Sequence, residues 1–333
     1  MSTLTLTKPF LKWVGGKSQI LDQVLRLFPK EINNYHEPFL GGGSVLLGFL
    51  SAVKSGSIKL SGKVFASDYN KALIGLYKNI QEFPEELIAE VKSISHTYAS
   101  IKGTEVLPTS HKRAGEAVVP TEPASVGIVN RKPANEVEAK TSQESYYYWI
   151  RSLFNTLLKD KEDMSDYIEV SAMFLFLNKT CFRGVYREGP NGFNVPFEKI
   201  QKNQTILDED HIRQVSVLIK DVVFTHASFE ESLKKVVSSR DFIYMDPPYA
   251  PESDTSFVSY TKDGFGEENH KLLFRTCSEF QKKGVKLVMS NHDVKVVRDA
   301  FPSPPFSTQV ISCRRAINSK NPEAKTNEVL ISN

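Results

Sequence analysis

The sequence is poor in the residues from which metal centres and disulfide frameworks are built. Its three cysteines, Cys181, Cys277 and Cys313, are an odd number at wide spacing, with no C-x-x-C pair and no ligand rhythm with the seven histidines. This points away from structural zinc and towards a reducing compartment. No run of about 18 apolar residues is present and no charged-then-apolar segment opens the chain, so it is expected to be soluble and cytoplasmic, without a membrane partner. An excess of one charge is missing too: 42 Lys and Arg against 39 Asp and Glu leave a net charge of +3. Any nucleic-acid surface must therefore be local. Between Ala99 and Ser145 there is no Phe, Trp or Tyr, although aromatics make up 11% of the chain. Rich instead in Pro, Ala, Glu, Ser, Thr and Val, residues 99–143 read as a mobile insertion with little core. Its basic residues Lys112, Arg113, Arg131 and Lys132 fit a solvated linker or contact with a polyanion.

A chain of 333 residues has ample material for one large or two smaller domains. The stretch that organises it is Asp241 to Tyr249, DFIYMDPPY. Phe242 to Met245 have strand character and run into an acid, two prolines and a ring. Neither proline has an amide hydrogen to continue a ladder, so Pro247 and Pro248 hold a rigid, extended turn at the strand's carboxyl end. Open α/β sheets keep their ligands there. Carbonyls beside the Asp246 carboxylate supply several acceptors, and Tyr249 supplies a face for stacking. A planar heteroaromatic amine suits such a corner. The plainer alternative is a proline-terminated buried strand whose acid caps the next helix.

Two glycine turns precede it. FLKWVGGKS, Phe10 to Ser18, presents Trp13 and Lys17 ahead of an amphipathic helix carrying Ile20, Leu21, Val24, Leu25 and Leu27. It is not a phosphate loop, because Leu11 stands where that motif needs its first glycine; an ordinary loop is the alternative. EPFLGGGSV, Glu37 to Val45, opens a helix through Leu46, Leu47, Phe49 and Leu50. Glycine permits close backbone approach there, and the helix start offers N–H groups to an acidic ligand group. Gly41 and Gly43 make a partial G-x-G-x-x-G whose third glycine is Leu46. Val64 to Ala66 read as a strand ending at Asp68, about 25 residues beyond the glycines, a spacing that suits hydrogen bonds to ribose hydroxyls. Capping of the helix Ala72 to Ile80 is the other role open to Asp68.

Helices are expected over 82–98, 144–160 and 166–177. The basic loop KTCFRGVYREGPNGFNVPF, Lys179 to Phe197, follows. Its Asn191-Gly192 pair predicts a β-ribbon in which Val185–Arg187 pair with Phe193–Val195. With Phe182, Arg183 and Arg187 it has a shape that enters a DNA groove or wedges a base step, or else it is a structural hairpin with surface arginines. From Thr205 helix and strand alternate. Strands are expected over Val222–Thr225, Val285–Met289 and Val329–Ser332, and a helix over 267–282. His292 is expected to be a local hydrogen-bond partner, and Arg314 to Glu328 a polar loop.

In this order FLKWVGGK, EPFLGGGSV, ASDYN, the FRGVYR to GFNVPF ribbon, ASFEES, DPPYAP and MSNHD resemble a Dam-type DNA adenine-N6 methyltransferase of the α group, over nearly the whole chain outside 99–143. The resemblance implies an α/β, Rossmann-like sheet over residues 1–80 and 205–333 that binds S-adenosylmethionine. It also implies an inserted helical and hairpin target-recognition domain over 81–204. Trp13, Lys17, Asp68 and Asp246 match cofactor-contacting positions, with Glu37, Phe39, Gly41 and Gly43 in the same cradle and Phe229 beside the cofactor adenine. Lys12, Phe182, Arg183, Arg187 and Pro196 match positions that contact or wedge duplex DNA. Glu198 and Ile200 depart from the family's glycine and tyrosine after NVPF, which leaves the recognition sequence open.

The implied catalytic corner is Asp246, Pro247, Pro248 and Tyr249. Adenine N6 is a weak nucleophile because its lone pair is delocalised into the ring. Asp246 and the Pro247 carbonyl are expected to accept its two N–H bonds, with Tyr249 stacking on a flipped base and no metal required. A cognate restriction endonuclease is a possible partner on the same DNA site. Three other readings fit parts of the pattern: methyl transfer to another amino nitrogen such as guanine in RNA, a nucleotide-dependent α/β enzyme, and a DNA-binding module without activity.

Overall fold

The computed structural model describes residues 6–101, 129–159, 167–200, 204–251, 265–314 and 325–333. Seven strands form its main sheet: β1 (Tyr35–Glu37), β2 (Val64–Asp68), β3 (Val222–His226), β4 (Phe242–Met245), β5 (Lys286–His292), β6 (Ser307–Arg314) and β7 (Lys325–Ser332). Their order across the sheet is β6-β7-β5-β4-β1-β2-β3. Strands β1 to β5 pair in parallel, while β7 is antiparallel to both β5 and β6.

The order follows from where apolar side chains can be buried. All four residues of β4, FIYM, are buried, as expected for a strand covered on both faces. Alternate side chains enter different cores. Phe242 and Tyr244 join Phe28, Tyr35 and Phe49 on one face, whereas Ile243 and Met245 join Leu273, Phe274 and Leu287 on the other. On the first face the Phe28 and Phe242 rings lie 4.5 Å apart and Tyr35 stacks on Phe49 at 4.0 Å. Burying each such side chain contributes about 2 kcal/mol, more than the roughly 1 kcal/mol net of a ladder hydrogen bond. Packing therefore sets the depth of β4. Its entry is fixed by buried Asp241, which accepts hydrogen bonds from Asn33, Asn34, Val237 and Ser238.

From β1 the chain moves outward to β2 and β3, then crosses back to place β4 on the other side of β1. Connections thus leave β1 and β4 in opposite directions, and a crevice opens beyond their carboxyl ends. Glu37 and Asp246 stand at that switch point.

The longer helices among the described residues are α1 (Ser44–Lys54), α2 (Lys71–Glu82), α3 (Pro84–Ser100), α4 (Gln143–Lys159), α5 (Ile168–Thr180), α6 (Glu209–Leu218) and α7 (Glu267–Lys282). In sequence α3, α4 and α5 fall between β2 and β3. Helix α5 is buried almost all round, as its near-continuous apolar sequence demands. It packs against α2, α3 and α4, and Asn79 donates to Ser171 at 2.8 Å across the α2–α5 contact.

Several sequence expectations need correction. Residues 129–143 are not without structure: Asn135 caps a short helix, Glu136–Ala139, whose Ala139 is fully buried. Arg131 pairs with Glu144 at 3.0 Å and lies 5.8 Å from the Tyr148 ring centre. Residues 102–128, including Lys112 and Arg113, lie outside the described residues. The ribbon pairs Glu188–Gly189 with Gly192–Phe193, one residue out of the expected register. Pro190 and Asn191 form the turn, and Gly192 takes the positive φ of 91° that follows. A one-residue slip exchanges the faces of a ribbon, and here it sends Phe193 inward onto Phe154. At the carboxyl end, Lys325 to Glu328 are strand rather than loop, and Ser307–Arg314 is a strand the polar sequence did not announce.

Candidate active site

Where β4 ends, the Asp246 carboxylate is gripped from two sides. Ser290 Oγ donates to Oδ1 at 2.7 Å, and Lys17 Nζ lies 2.8 Å from Oδ2. Ser290 is there because β5 pairs in parallel with β4, Met289 opposite Met245, so the next residue of each strand meets at the crevice. Lys17 arrives from the glycine turn, where its backbone N–H donates to Ser44 Oγ at 3.0 Å and its ammonium also donates to Gly15 O at 2.6 Å. Its side chain is only 3% exposed, against 22% for Asp246. Asp246 thus accepts from its neighbours rather than capping a helix among the described residues.

Tyr249 closes the corner. Its ring centre lies 5.0 Å from Lys17 Nζ, its hydroxyl donates to Glu328 Oε2 at 2.8 Å, and the His292 ring meets it edge-on at 4.8 Å. Burial, with the Asp246 and Glu328 carboxylates nearby, pushes the phenol well above its ordinary pKa, so it remains a donor. His292 Nδ1 bonds the Ala250 carbonyl oxygen at 2.9 Å, the local role expected of it, and Asn291 Oδ1 accepts from Ala250 N at 2.9 Å. Sequence reasoning missed Ser290 and Glu328. Ser290 carried a usable signal, being the first polar residue after the apolar run of the strand beside β4. Glu328 carried none, because the polar run before it has the composition of a loop.

A second group lines the ends of β1 and β2. Glu37 is 2% exposed and accepts from the Tyr35 hydroxyl at 2.5 Å. Burial raises its pKa to about 8; the Tyr35 hydrogen bond opposes the rise, and the Asp246 and Asp68 carboxylates add to it. Asp68 accepts from Gly41 N and Asn70 N, both at 2.9 Å. Burial raises its pKa too, against those two N–H groups. Asn70, not Asp68, caps α2 by accepting from Leu73 N at 3.0 Å. Trp13 covers the glycine turn so closely that a Cβ on Gly42 would lie 2.6 Å from its own Cβ, and one on Gly41 would lie 2.9 Å from its indole nitrogen. Gly43 begins α1 at φ +67°, with the Tyr77 hydroxyl overlapping the place where its Cβ would be. Phe39 stacks on Phe229 at 5.6 Å. A buried and a half-buried acid, a tight glycine turn and an aromatic pair form a cradle for a ligand with cationic, hydroxyl and flat groups. Among the described residues no three His, Cys, Asp or Glu side chains cluster as a metal site would need, and no helix is long and apolar enough to cross a membrane.

The ribbon stands on the other side of the N-terminal segment. Asn178 ties the two together: it accepts from Lys12 N at 3.0 Å and donates to the Lys12 and Gly184 carbonyls at 2.8 and 3.2 Å. Trp13 stacks on Tyr186 at 5.8 Å. Phe182, Arg183, Arg187 and Pro196 are exposed. Phe182 N bonds the Pro196 carbonyl at 2.9 Å, and Arg183, at φ 55°, donates its N–H to Glu198 at 2.6 Å. Arg187 Nε donates to Asn194 Oδ1 at 2.8 Å. The structure therefore gathers Lys12 and the four ribbon residues on one flank, and Lys17, Asp246 and Tyr249 in one crevice.

Known proteins are similar to this chain along nearly its whole length. It is 33% identical over 336 residues to type II methyltransferase M.MjaIII of Methanocaldococcus jannaschii, covering 98% of this chain and 99% of that protein. It is 28% identical to type II methyltransferase M1.LlaDCHI of Lactococcus lactis, over 98% of this chain and 95% of that one. It is 27% identical to the DNA adenine methylase of Haemophilus influenzae, over 96% and 90%. A family model described as D12 class N6 adenine-specific DNA methyltransferase matches residues 13–115 and 125–317, a span that holds the glycine turns, the ribbon and the acid-proline corner alike. The chain belongs to that family, and its reaction is methylation of adenine N6 in DNA.

Proposed function

We propose that the protein methylates adenine in duplex DNA after turning the base out of the helix, with the Asp246 corner receiving the exocyclic amino group. The observation that carries this reading is the Asp246 carboxylate set between an ammonium and a hydroxyl beside the Tyr249 ring. Lys17 Nζ is a nitrogen donor to Asp246 close to an aromatic face, the two contacts an exocyclic amine there would make. Entry of the base requires that ammonium to withdraw. Asp246 and the Pro247 carbonyl then accept the two N–H bonds of N6, drawing its lone pair out of the ring system. Tyr249 stacks on the base, because an amino group inside a stacked duplex is out of reach of the crevice.

The methyl donor that the family implies is S-adenosylmethionine, which when bound supplies a methyl group activated by a sulfonium. Glu37, Asp68, the Gly41–Gly43 turn with Trp13, and the Phe39–Phe229 pair would hold it. Asp246 is placed to take the proton that the methylated nitrogen sheds. Helices α3 to α5 with the ribbon act as the target-recognition part, presenting Lys12, Phe182, Arg183, Arg187 and Pro196 to the DNA. Relatives named type II methyltransferases support a setting in which a restriction endonuclease cuts the same site when it is unmethylated.

Tritiated-methyl transfer to unmethylated duplex DNA tests the core of this. Asp246→Ala is expected to abolish transfer while duplex binding largely survives. Turnover near the wild-type level would remove Asp246 from the role.

A further inference from the structure

The acid-proline corner fixes its own backbone, but two prolines do nothing to fix the side chain that follows them. Tyr249 could turn about its first torsion unless something holds the ring. What holds it comes from the antiparallel end of the sheet. Glu328 on β7 lies directly across from His292 on β5 in the ladder. The first takes the Tyr249 hydroxyl at 2.8 Å and the second meets the ring edge-on at 4.8 Å. His292 is itself tethered to the Ala250 carbonyl, so both handles are firm.

We infer that Glu328 is a positioning residue of methyl transfer: it sets the plane of the Tyr249 ring against which the extruded adenine stacks. The inference rests on the stacking role proposed for Tyr249. A charged acceptor is suited to the task. Hydrogen bonds to ionised groups are roughly twice as strong as neutral ones, and the bond also pushes electron density into the ring, improving its face for a polarised purine. An antiparallel pair is added to an otherwise parallel sheet, and this gives its inner strand a part in the chemistry.

A double-mutant cycle in the full-length protein tests it, with kcat and KM for duplex DNA measured beside the melting temperature. Tyr249→Phe and Glu328→Ala are each expected to lower kcat about tenfold, the effect of one lost charge-assisted hydrogen bond. The double variant is expected to fall no further than either single one. Glu328→Gln, whose neutral amide oxygen can accept the same bond at about half its strength, is expected to restore part of the loss, roughly threefold in kcat. Multiplying effects in the double variant, with a melting temperature lowered in step, would show a merely structural glutamate and overturn the proposal. So would wild-type kcat in Tyr249→Phe, which settles the matter even if Glu328→Ala does not fold. A fully active Tyr249→Ala would remove the stacking role itself and Glu328 with it. Loss of turnover in Tyr249→Ala beside unaffected Tyr249→Phe and Glu328→Ala would overturn the glutamate's part alone.

Discussion

Lys17 and Asp246 form an ion pair 2.8 Å long in which the lysine is all but excluded from water. Removing one member of such a pair leaves the other poorly solvated, at a cost of up to a few kcal/mol. Because Asp246 keeps its Ser290 bond and some exposure, Lys17→Met is expected to fold, with a melting temperature lowered by several degrees. Methyl transfer should fall at least tenfold. Lys17→Arg should not rescue it, since a planar guanidinium does not fit a space shaped around an ammonium. Single-turnover transfer beside a thermal melt checks both halves.

Glu37 makes the free protein sensitive to pH in an unusual direction. Its pKa is about 8 in the fold, against about 4.3 when unfolded. The folded state therefore binds more protons between those values, and its stability declines as pH rises through that window. Glu37→Gln removes the titration, so its melting temperature should change less between pH 5 and pH 8 than that of the wild type. A cationic cofactor would ionise the carboxyl. Titration calorimetry with S-adenosylmethionine in two buffers of different ionisation enthalpy should show proton release near pH 7, absent in Glu37→Gln.

At Gly43 an added methyl group meets a positive φ and the Tyr77 hydroxyl together. Gly43→Ala is expected to destabilise the protein by about 2–3 kcal/mol. Adding Tyr77→Phe should relieve the collision but not the backbone strain, recovering only part of the loss in a denaturant melt.

Asn178 is 3% exposed and serves three backbone groups on Lys12 and Gly184. Asn178→Ala would orphan them, costing about 2–3 kcal/mol. It should also loosen the ribbon from the segment carrying Trp13 and Lys17. KM for DNA is therefore expected to rise more than kcat falls, and steady-state kinetics at several DNA concentrations would show the split.

The sequence disclosed those parts of the site whose chemistry is local. Pro247 and Pro248 announce the end of β4, three glycines announce a tight turn before α1, and the continuous apolar run of β4 announces a strand covered on both faces. Contacts made across the sheet were hidden. Ser290 reaches Asp246 through parallel pairing, and Glu328 reaches Tyr249 from a strand whose polar start has no alternation to mark it. The ribbon register departs from expectation because Asn-Gly is a strong turn signal, yet the proline before it fixes the first turn position instead. Helix limits for α4 and α7 were legible because apolar residues recur at helical spacing after an acidic first turn.

Strand β7 lies between β5 and β6, both of which precede it in the chain. During synthesis β6 therefore has no neighbour to pair with until the residues of β7 have followed it, and it waits with both edges unsatisfied. Trimming the chain back past Lys325 would remove two strands' worth of ladder for the loss of one, and would take Glu328 away from the Tyr249 hydroxyl. Competence of this site thus waits on β7, which follows every other strand of the main sheet in the chain.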